Sequence, residues 1–229
     1  VFQGAYPAAC GERVWPVAYP APREFAARAV EGMWRELGGK LTGSVREGKV
    51  PAGLKPAFVS TSPALAEVVR DVNKYSNNVM AQHVFLTLAR QKNGVATLDG
   101  ARETLRQWWQ ARLADVDAPA PDNGAGLSRD ARITAQALAR MLQAAWASPV
   151  MPELVASLPI AGVDGTLRRS QSRSAAHLKT GSLRDVMAVG GYVHAQSGRR
   201  YVLVAIVNHP NANAARPVLD ALTDWAAKD

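Results

Sequence analysis

With 229 residues and 48% hydrophobic content, the chain can bury most of the surface its unfolded form exposes, so neither a disulfide nor a structural metal is needed and one main globular domain is expected. Its apolar runs, such as Phe85 to Leu88 and Val202 to Val207, fall well short of the roughly 18 to 20 residues that span a bilayer, which excludes a transmembrane segment. The charge of +8 suits a polyanionic partner, but the basic residues are scattered and form no stripe interleaved with aromatics, so the expectation is a solvated basic surface and no nucleic acid.

A single cysteine, Cys10, excludes an internal disulfide and has no Cys or His neighbour at metal-ligand spacing, so no metal or other cofactor is expected. The chain opens on Val1 with no Met and no basic-then-apolar leader, as in a processed export precursor or a piece of something longer.

Residues 1–22, rich in Pro, Gly and Ala (Gly4, Pro7, Gly11, Pro16, Pro20, Pro22), have no helical period and read as extended chain or linker. From Arg23 to Leu37, apolar residues at Phe25, Ala29, Val30, Met33, Trp34 and Leu37 trace one helix face, and Gly38-Gly39 stops it. Leu41 to Arg46 and Ala57 to Ser60 read as short strands, and Pro63 opens a helix through Val72. Asn78 to Gln91 is helical, with Val79, His83, Leu86 and Ala89 on one face, and Leu105 to Leu113 is a helix carrying Trp108 and Trp109, one for the core and one for its rim. Pro119 to Ser128 is a loop, Thr134 caps a helix to about Ala147, and Pro149 and Pro152 punctuate the stretch after that helix.

Beyond residue 175 the composition turns to β. His177 to Ser182, Val186 to His194 and Arg200 to Asn208 are strands, Ser197-Gly198 makes the turn between the last two, and Ala214 to Ala227 is a closing helix. This order predicts an α/β fold with an antiparallel sheet flanked by helices on both faces.

Two short motifs carry chemistry. Ser76-Asn77-Asn78 is an S-x-N triplet between two helices, where a hydroxyl and an amide point from one turn into a cleft, although such residues also serve as helix caps. Lys179-Thr180-Gly181-Ser182 lies on a strand, where an ammonium, two hydroxyls and a glycine without a side chain let an extended substrate dock and its carboxylate bind. S-x-N followed about a hundred residues later by K-T-G is the order of the second and third motifs of serine acyl-transfer enzymes of the penicillin-binding and β-lactamase type.

Three flanking stretches narrow the match: Asn73 to Asn78, Asn123 to Arg129 (NGAGLSR) and Leu158 to Leu167 (LPIAGVDGTL). With His177 to Leu183 and the Gly190-Gly191-Tyr192 strand, the chain from about Tyr6 onward resembles the class C low-molecular-mass penicillin-binding proteins, D-alanyl-D-alanine carboxypeptidases and endopeptidases of β-lactamase/transpeptidase-like fold. In that family the glycine loop reads G-S-G-L-S-R, whereas Ala125 stands here in place of the serine. A larger departure is that S-x-x-K, the family's nucleophile and base, occurs nowhere in the 229 residues. The resemblance therefore implies that this motif lies upstream of Val1, that residues 1–22 are the tail of an inserted domain or a linker, and that 23–229 form the C-terminal part of the penicillin-binding domain.

What the resemblance implies chemically is acyl transfer. The S-x-x-K serine attacks the penultimate D-alanine carbonyl of a peptidoglycan stem peptide, and β-lactam antibiotics acylate the same serine. By motif position Ser76 relays a proton, Asn78 holds the acyl-side amide, and Lys179 sets the field for the substrate carboxylate that Ser76, Thr180 and Ser182 bind. Gly181 keeps the strand open, and the Ser182 N–H is one oxyanion donor. The N-terminal part of the parent chain is thus an implied partner, this polypeptide alone is expected to be inactive, and the location is periplasmic. His83 and His177 are expected to be packed or surface residues and Asp164 to fix a turn. The rival expectation is a non-catalytic wall-binding or scaffold protein on the same fold.

Overall fold

A computed structural model describes residues 3–14 and 17–229; Pro16, counted above in the extended N-terminal stretch, lies outside them. The chain divides into two compact units, Val1–Ser60 and Thr61–Asp229. The first unit carries one long helix, α1 (Pro22–Glu36), begun by a proline in its first turn, where a missing N–H costs nothing. Its apolar face forms as the spacing predicts, yet no residue of α1 is buried, and Phe25, Val30, Met33 and Trp34 are exposed. The strands expected at 41–46 and 57–60 do not form. An isolated extended run has no partner for its backbone groups, and Gly43, at φ +131°, breaks the first of them.

The second unit begins with α2 (Leu65–Tyr75), α3 (Asn78–Asn93) and α4 (Leu98–Arg112). Pro63 does not open α2, because Ala64 is extended and the helix starts after it. The inward face of α3 also differs from the predicted one. Phe85 and Ala89 pack with Ala101 and Leu105 of α4, while Val79 and His83 face outward. The face is chosen by what α4 offers, and Ala89 is the position the two readings share. Trp109 is 2% exposed and donates its ring N–H to the Val116 carbonyl at 3.1 Å, whereas Trp108 is 43% exposed, the expected split between core and rim. Thr134 caps α5 (Ala135–Trp146) by accepting the Ala137 N–H at 3.0 Å, as predicted. The prolines that read as punctuation instead frame a further helix, α6 (Met151–Ser157), with Pro152 in its first turn.

β1 (Ala176–Leu183), β2 (Val186–His194) and β3 (Arg200–Asn208) form an antiparallel sheet in that order, and α7 (Arg216–Ala227) closes the chain. Side chains alternate between two cores. Leu178, Val189, Val193 and Leu203 pack against Leu219, Leu222 and Ala227 of α7, and Tyr192, Val202 and Val204 pack against Leu138 and Leu142 of α5 and Leu154 of α6. Helices thus cover both faces, as predicted. Tyr192 is 1% exposed and donates its hydroxyl to the Leu142 carbonyl at 2.7 Å, and burial pushes its phenol pKa up to about 12.

On the α5 face the rings of His177 and His194 stand 5.5 Å apart, with Trp146 6.3 Å from His194. The His194 Nε2 has no hydrogen-bond partner among the described residues. Burial first, then the charges of Arg200 and His177, hold the His194 pKa below its ordinary value. The unfolded chain therefore binds a proton near pH 6.5 that the folded chain resists. The stability due to neutral His194 is fully present above that pH and is lost as pH falls below it. Urea midpoints measured from pH 7.5 to 5 are expected to decline less for His194→Phe than for the unmodified protein; parallel curves would acquit this histidine.

Candidate active site

The site lies within the second unit and is built from two walls. The first is the junction of α2 and α3. Ser76 closes α2 in the left-handed conformation, φ 54° and ψ 48°, and is the one non-glycine residue with positive φ among the described residues. Holding a serine there costs on the order of 1–3 kcal/mol, so the surroundings must over-determine it. The Asn77 N–H donates to the Val72 carbonyl at 3.1 Å, and Asn77 Oδ1 accepts the Met80 N–H at 3.1 Å to cap α3. Capping is therefore the work of Asn77, which leaves the hydroxyl of Ser76 free for other contacts and makes Asn78 the first residue of α3.

The second wall is β1. Lys179 Nζ donates to Ser76 Oγ at 3.0 Å and to the Thr180 carbonyl at 2.8 Å, so residues 103 positions apart meet head to head. Burial lowers the Lys179 pKa, because a desolvated ammonium is disfavoured. The outer edge of β1 is partly covered at its start, where the Leu178 N–H donates to the Pro159 carbonyl at 2.8 Å. Beyond Leu178 no strand pairs with that edge among the described residues. Period-two alternation then directs the N–H groups of Thr180 and Ser182 to the same open edge. Thr180 Oγ1 lies 2.8 Å from Thr166 Oγ1, a contact that neither motif announces. A Cβ added at Gly181 would meet only the Ala188 Cβ, at 3.5 Å, so the packing of the protein itself does not require glycine there.

The Asn123–Arg129 stretch bounds the cleft beside Asn78. Asn78 Nδ2 donates to the Ala125 carbonyl at 2.6 Å, Gln82 Oε1 accepts the Gly124 N–H at 2.8 Å, and Asn123 Oδ1 accepts the Ala125 N–H at 2.9 Å. Residue 125 thus contributes through its backbone, which explains how an alanine is accommodated. Arg129 pairs with Asp185. Two cavities, of about 920 Å³ and about 610 Å³, flank β1 and share Lys179, Thr180, Gly181 and Ser182 in their walls; Ser76, Asn78 and Thr166 line the smaller. All six residues singled out from the two motifs therefore border one connected region, with Ser76 and Lys179 in direct contact.

Asp164 fixes its turn as expected, accepting the Ile160 N–H at 2.7 Å, and also pairs with Lys74 at 2.6 Å. Desolvation works to raise its pKa, but hydrogen bonds from Lys74 and Ile160 outweigh it and hold the carboxyl below its ordinary value. His83 is exposed, and His177 contacts the Val155 carbonyl at 3.1 Å through Nδ1. Among the described residues no group of three or more His, Cys, Asp or Glu side chains is placed to hold a metal, and no helix is long and apolar enough to cross a membrane.

A hydroxyl-and-amide turn facing a strand-borne lysine, on an antiparallel sheet between helical layers, defines a protein of the penicillin-binding, transpeptidase-like fold. Penicillin-binding protein 4 of Haemophilus influenzae, solved with a β-lactam, superposes with a TM-score of 0.76 at 21% identity over 90% of this chain and 52% of its own. A predatory endopeptidase of Bdellovibrio bacteriovorus superposes with a TM-score of 0.61 at 13% identity, over 94% of this chain and 63% of its own. The chain belongs to the D-Ala-D-Ala carboxypeptidase 3 (S13) family, whose model matches residues 1–229, and so to the class C low-molecular-mass penicillin-binding proteins. It is 29% identical over 206 residues to a D-alanyl-D-alanine carboxypeptidase of Actinomadura sp. (strain R39), covering 85% of this chain and 38% of that one. It is 30% identical over 182 residues to a carboxypeptidase of Mycobacterium tuberculosis, covering 75% and 39%. The chain thus spans about two fifths of the length of these curated relatives.

Proposed function

We propose that this chain supplies the S-x-N and K-T-G walls of a serine-type D-alanyl-D-alanine carboxypeptidase or endopeptidase that acts on peptidoglycan stem peptides in the periplasm and is acylated by penicillins. The observation that carries this reading is the Lys179 to Ser76 contact at 3.0 Å beside the open edge of β1. A hydroxyl held by a partly desolvated ammonium is suited to relay a proton to a leaving amine, and the same positive field favours a substrate carboxylate at Thr180 and Ser182. Asn78, its amide anchored on the Ala125 carbonyl, borders the cleft where the acyl-side amide of the peptide would lie. The glycine at 181, which the interior of the protein does not need, suits a peptide laid against the strand.

The nucleophile is assigned to an S-x-x-K serine in a part of the parent chain outside these 229 residues. That serine adds to the D-alanine carbonyl, the C–N bond breaks with a proton passed to the amine, and water then hydrolyses the ester. The Ser182 N–H is the oxyanion donor assigned to this chain, the second being the N–H of the nucleophile itself. The larger cavity, walled by Leu138, Met141, Leu142, Leu154 and Leu158, suits burial of further sequence from the same parent, given how much longer the relatives are.

Labelling with a fluorescent penicillin tests the reading. The full-length parent is expected to be labelled at a serine outside residues 1–229 and the 229-residue polypeptide to remain unlabelled. Labelling of the polypeptide itself would overturn the assignment of the nucleophile, and labelling of neither would favour a non-catalytic scaffold on this fold.

A further inference from the structure

The two walls of the cleft are tied together behind Ser76 by groups outside the two motifs. On the β1 side, Pro159 to Ala161 runs antiparallel to the start of the strand, with the Leu178 N–H donating to the Pro159 carbonyl at 2.8 Å and the Ala161 N–H to the Ala176 carbonyl at 3.0 Å. Asp164 hangs from this segment through Oδ1, which accepts the Ile160 N–H at 2.7 Å. Its other oxygen, Oδ2, reaches 2.6 Å to Lys74 Nζ, two residues before Ser76. The Lys74 side chain is only 12% exposed, so its charge has little recourse to water.

Two contacts reinforce the same junction. Asn73 Nδ2 donates to Ser157 Oγ at 2.8 Å, and that hydroxyl donates to the Leu154 carbonyl at 2.6 Å. Gly165, at φ +54°, lies so close to α2 that a Cβ there would stand 2.5 Å from the Lys74 carbonyl oxygen. Three consecutive residues of α2 are therefore committed elsewhere or exposed: Asn73 to α6, Lys74 to Asp164, and Tyr75 to solvent. Ser76 follows them in its left-handed conformation and meets Lys179 from the opposite wall.

We propose that Lys74 and Asp164 are positioning residues, an ion pair that sets the span between the S-x-N turn and β1 and thereby holds Ser76 Oγ on Lys179. The pair acts through Ser76 and does not contact the reacting atoms. The role deepens the acyl-transfer reading above and rests on it for its kinetic consequence, but the geometric claim stands without it. Asparagine at 164 keeps the Ile160 hydrogen bond and removes the charge, leaving the Lys74 ammonium unpaired in a largely covered site, a state that the junction relieves by moving.

The test uses the full-length protein carrying Asp164→Asn, Asp164→Glu or Lys74→Arg. The acylation rate constant for a fluorescent penicillin is separated from its non-covalent binding, and circular dichroism checks folding. Displacement of a catalytic group by about an ångström costs about 10²-fold, so Asp164→Asn is expected to lose about that much in the acylation constant while initial binding is preserved. Asp164→Glu, which restores the charge, is expected to recover most of the loss. If Asp164→Asn does not fold, Lys74→Arg, which keeps the pair and alters its span, is expected to fold and show a smaller loss of the same kind. A folded Asp164→Asn that acylates like wild type, or a folded Lys74→Arg that does so where Asp164→Asn cannot be made, overturns the proposal. A wild-type parent that takes no penicillin overturns the functional reading instead. The positioning role is then decided by NMR titration of ¹³C-methylated Lys179, whose pKa is expected to rise in the variant as its site opens to water and whose constancy would refute the role.

Discussion

Lys179→Met in the full-length protein is expected to slow acylation by a penicillin by about 10²–10³-fold, the usual consequence of removing one preorganised electrostatic group from a reacting centre. Methionine preserves the length and apolar stem of lysine, so the loss isolates the ammonium that donates to Ser76 Oγ and to the Thr180 carbonyl. The pH profile carries a second signature. Burial holds the Lys179 pKa below the ordinary lysine value, and the charged form is the one the proposed mechanism uses. Activity is therefore expected to be present at neutral pH and lost on the alkaline side as pH rises through the lowered pKa, earlier than the roughly 10.4 of a free lysine. A time course of fluorescent labelling from pH 6 to 10 measures both. A Lys179→Met variant within a few-fold of wild type would remove this lysine from the site.

Gly191→Ala is expected to be the most destabilising glycine-to-alanine exchange in the sheet, costing more than the ~1–3 kcal/mol typical of overpacking. The added Cβ would stand 2.1 Å from the His177 carbonyl oxygen and 2.9 Å from the Leu178 Cα. Both are backbone atoms of the neighbouring strand, so no rotamer change relieves the clash and β1 must part from β2. Gly181→Ala supplies the control: its Cβ meets the Ala188 Cβ at an ordinary 3.5 Å, and its stability is expected to stay within about 1 kcal/mol of wild type apart from the small backbone effect of replacing glycine. Urea unfolding monitored by tryptophan fluorescence compares the two. Equal midpoints would mean that the strands separate without cost.

The β half is legible in the sequence because β2 and β3 are bounded by turn residues and rich in valine and isoleucine, so the pattern gives Val186–His194 and Arg200–Asn208 to the residue. Caps with a chemical mechanism were legible too, as at Thr134. What failed depended on tertiary partners. The stretches at 41–46 and 57–60 read as short strands but have no neighbour to pair with. The inward face of α3 was decided by Ala101 and Leu105, and α6 hid behind prolines that are equally at home in a first helical turn. In the site, the motifs named Ser76 and Lys179, but nothing local reveals that a serine takes a left-handed conformation. Nor does anything local reveal that Lys74 finds a carboxylate 90 positions away or that Thr166 meets Thr180.

The pairing of Lys179 with Gly190 and of Leu178 with Gly191 gives the lysine an address as well as a partner. Along a pleated strand, direction is a matter of parity. Inserting one residue between Ala176 and Lys179 would send the ammonium through the sheet toward α7 and bring an apolar side chain to face Ser76. Inserting two would restore the direction but carry the charge about 7 Å along the strand, beyond reach of the hydroxyl. The segment can thus tolerate exchange of side chains far more readily than any change in its length.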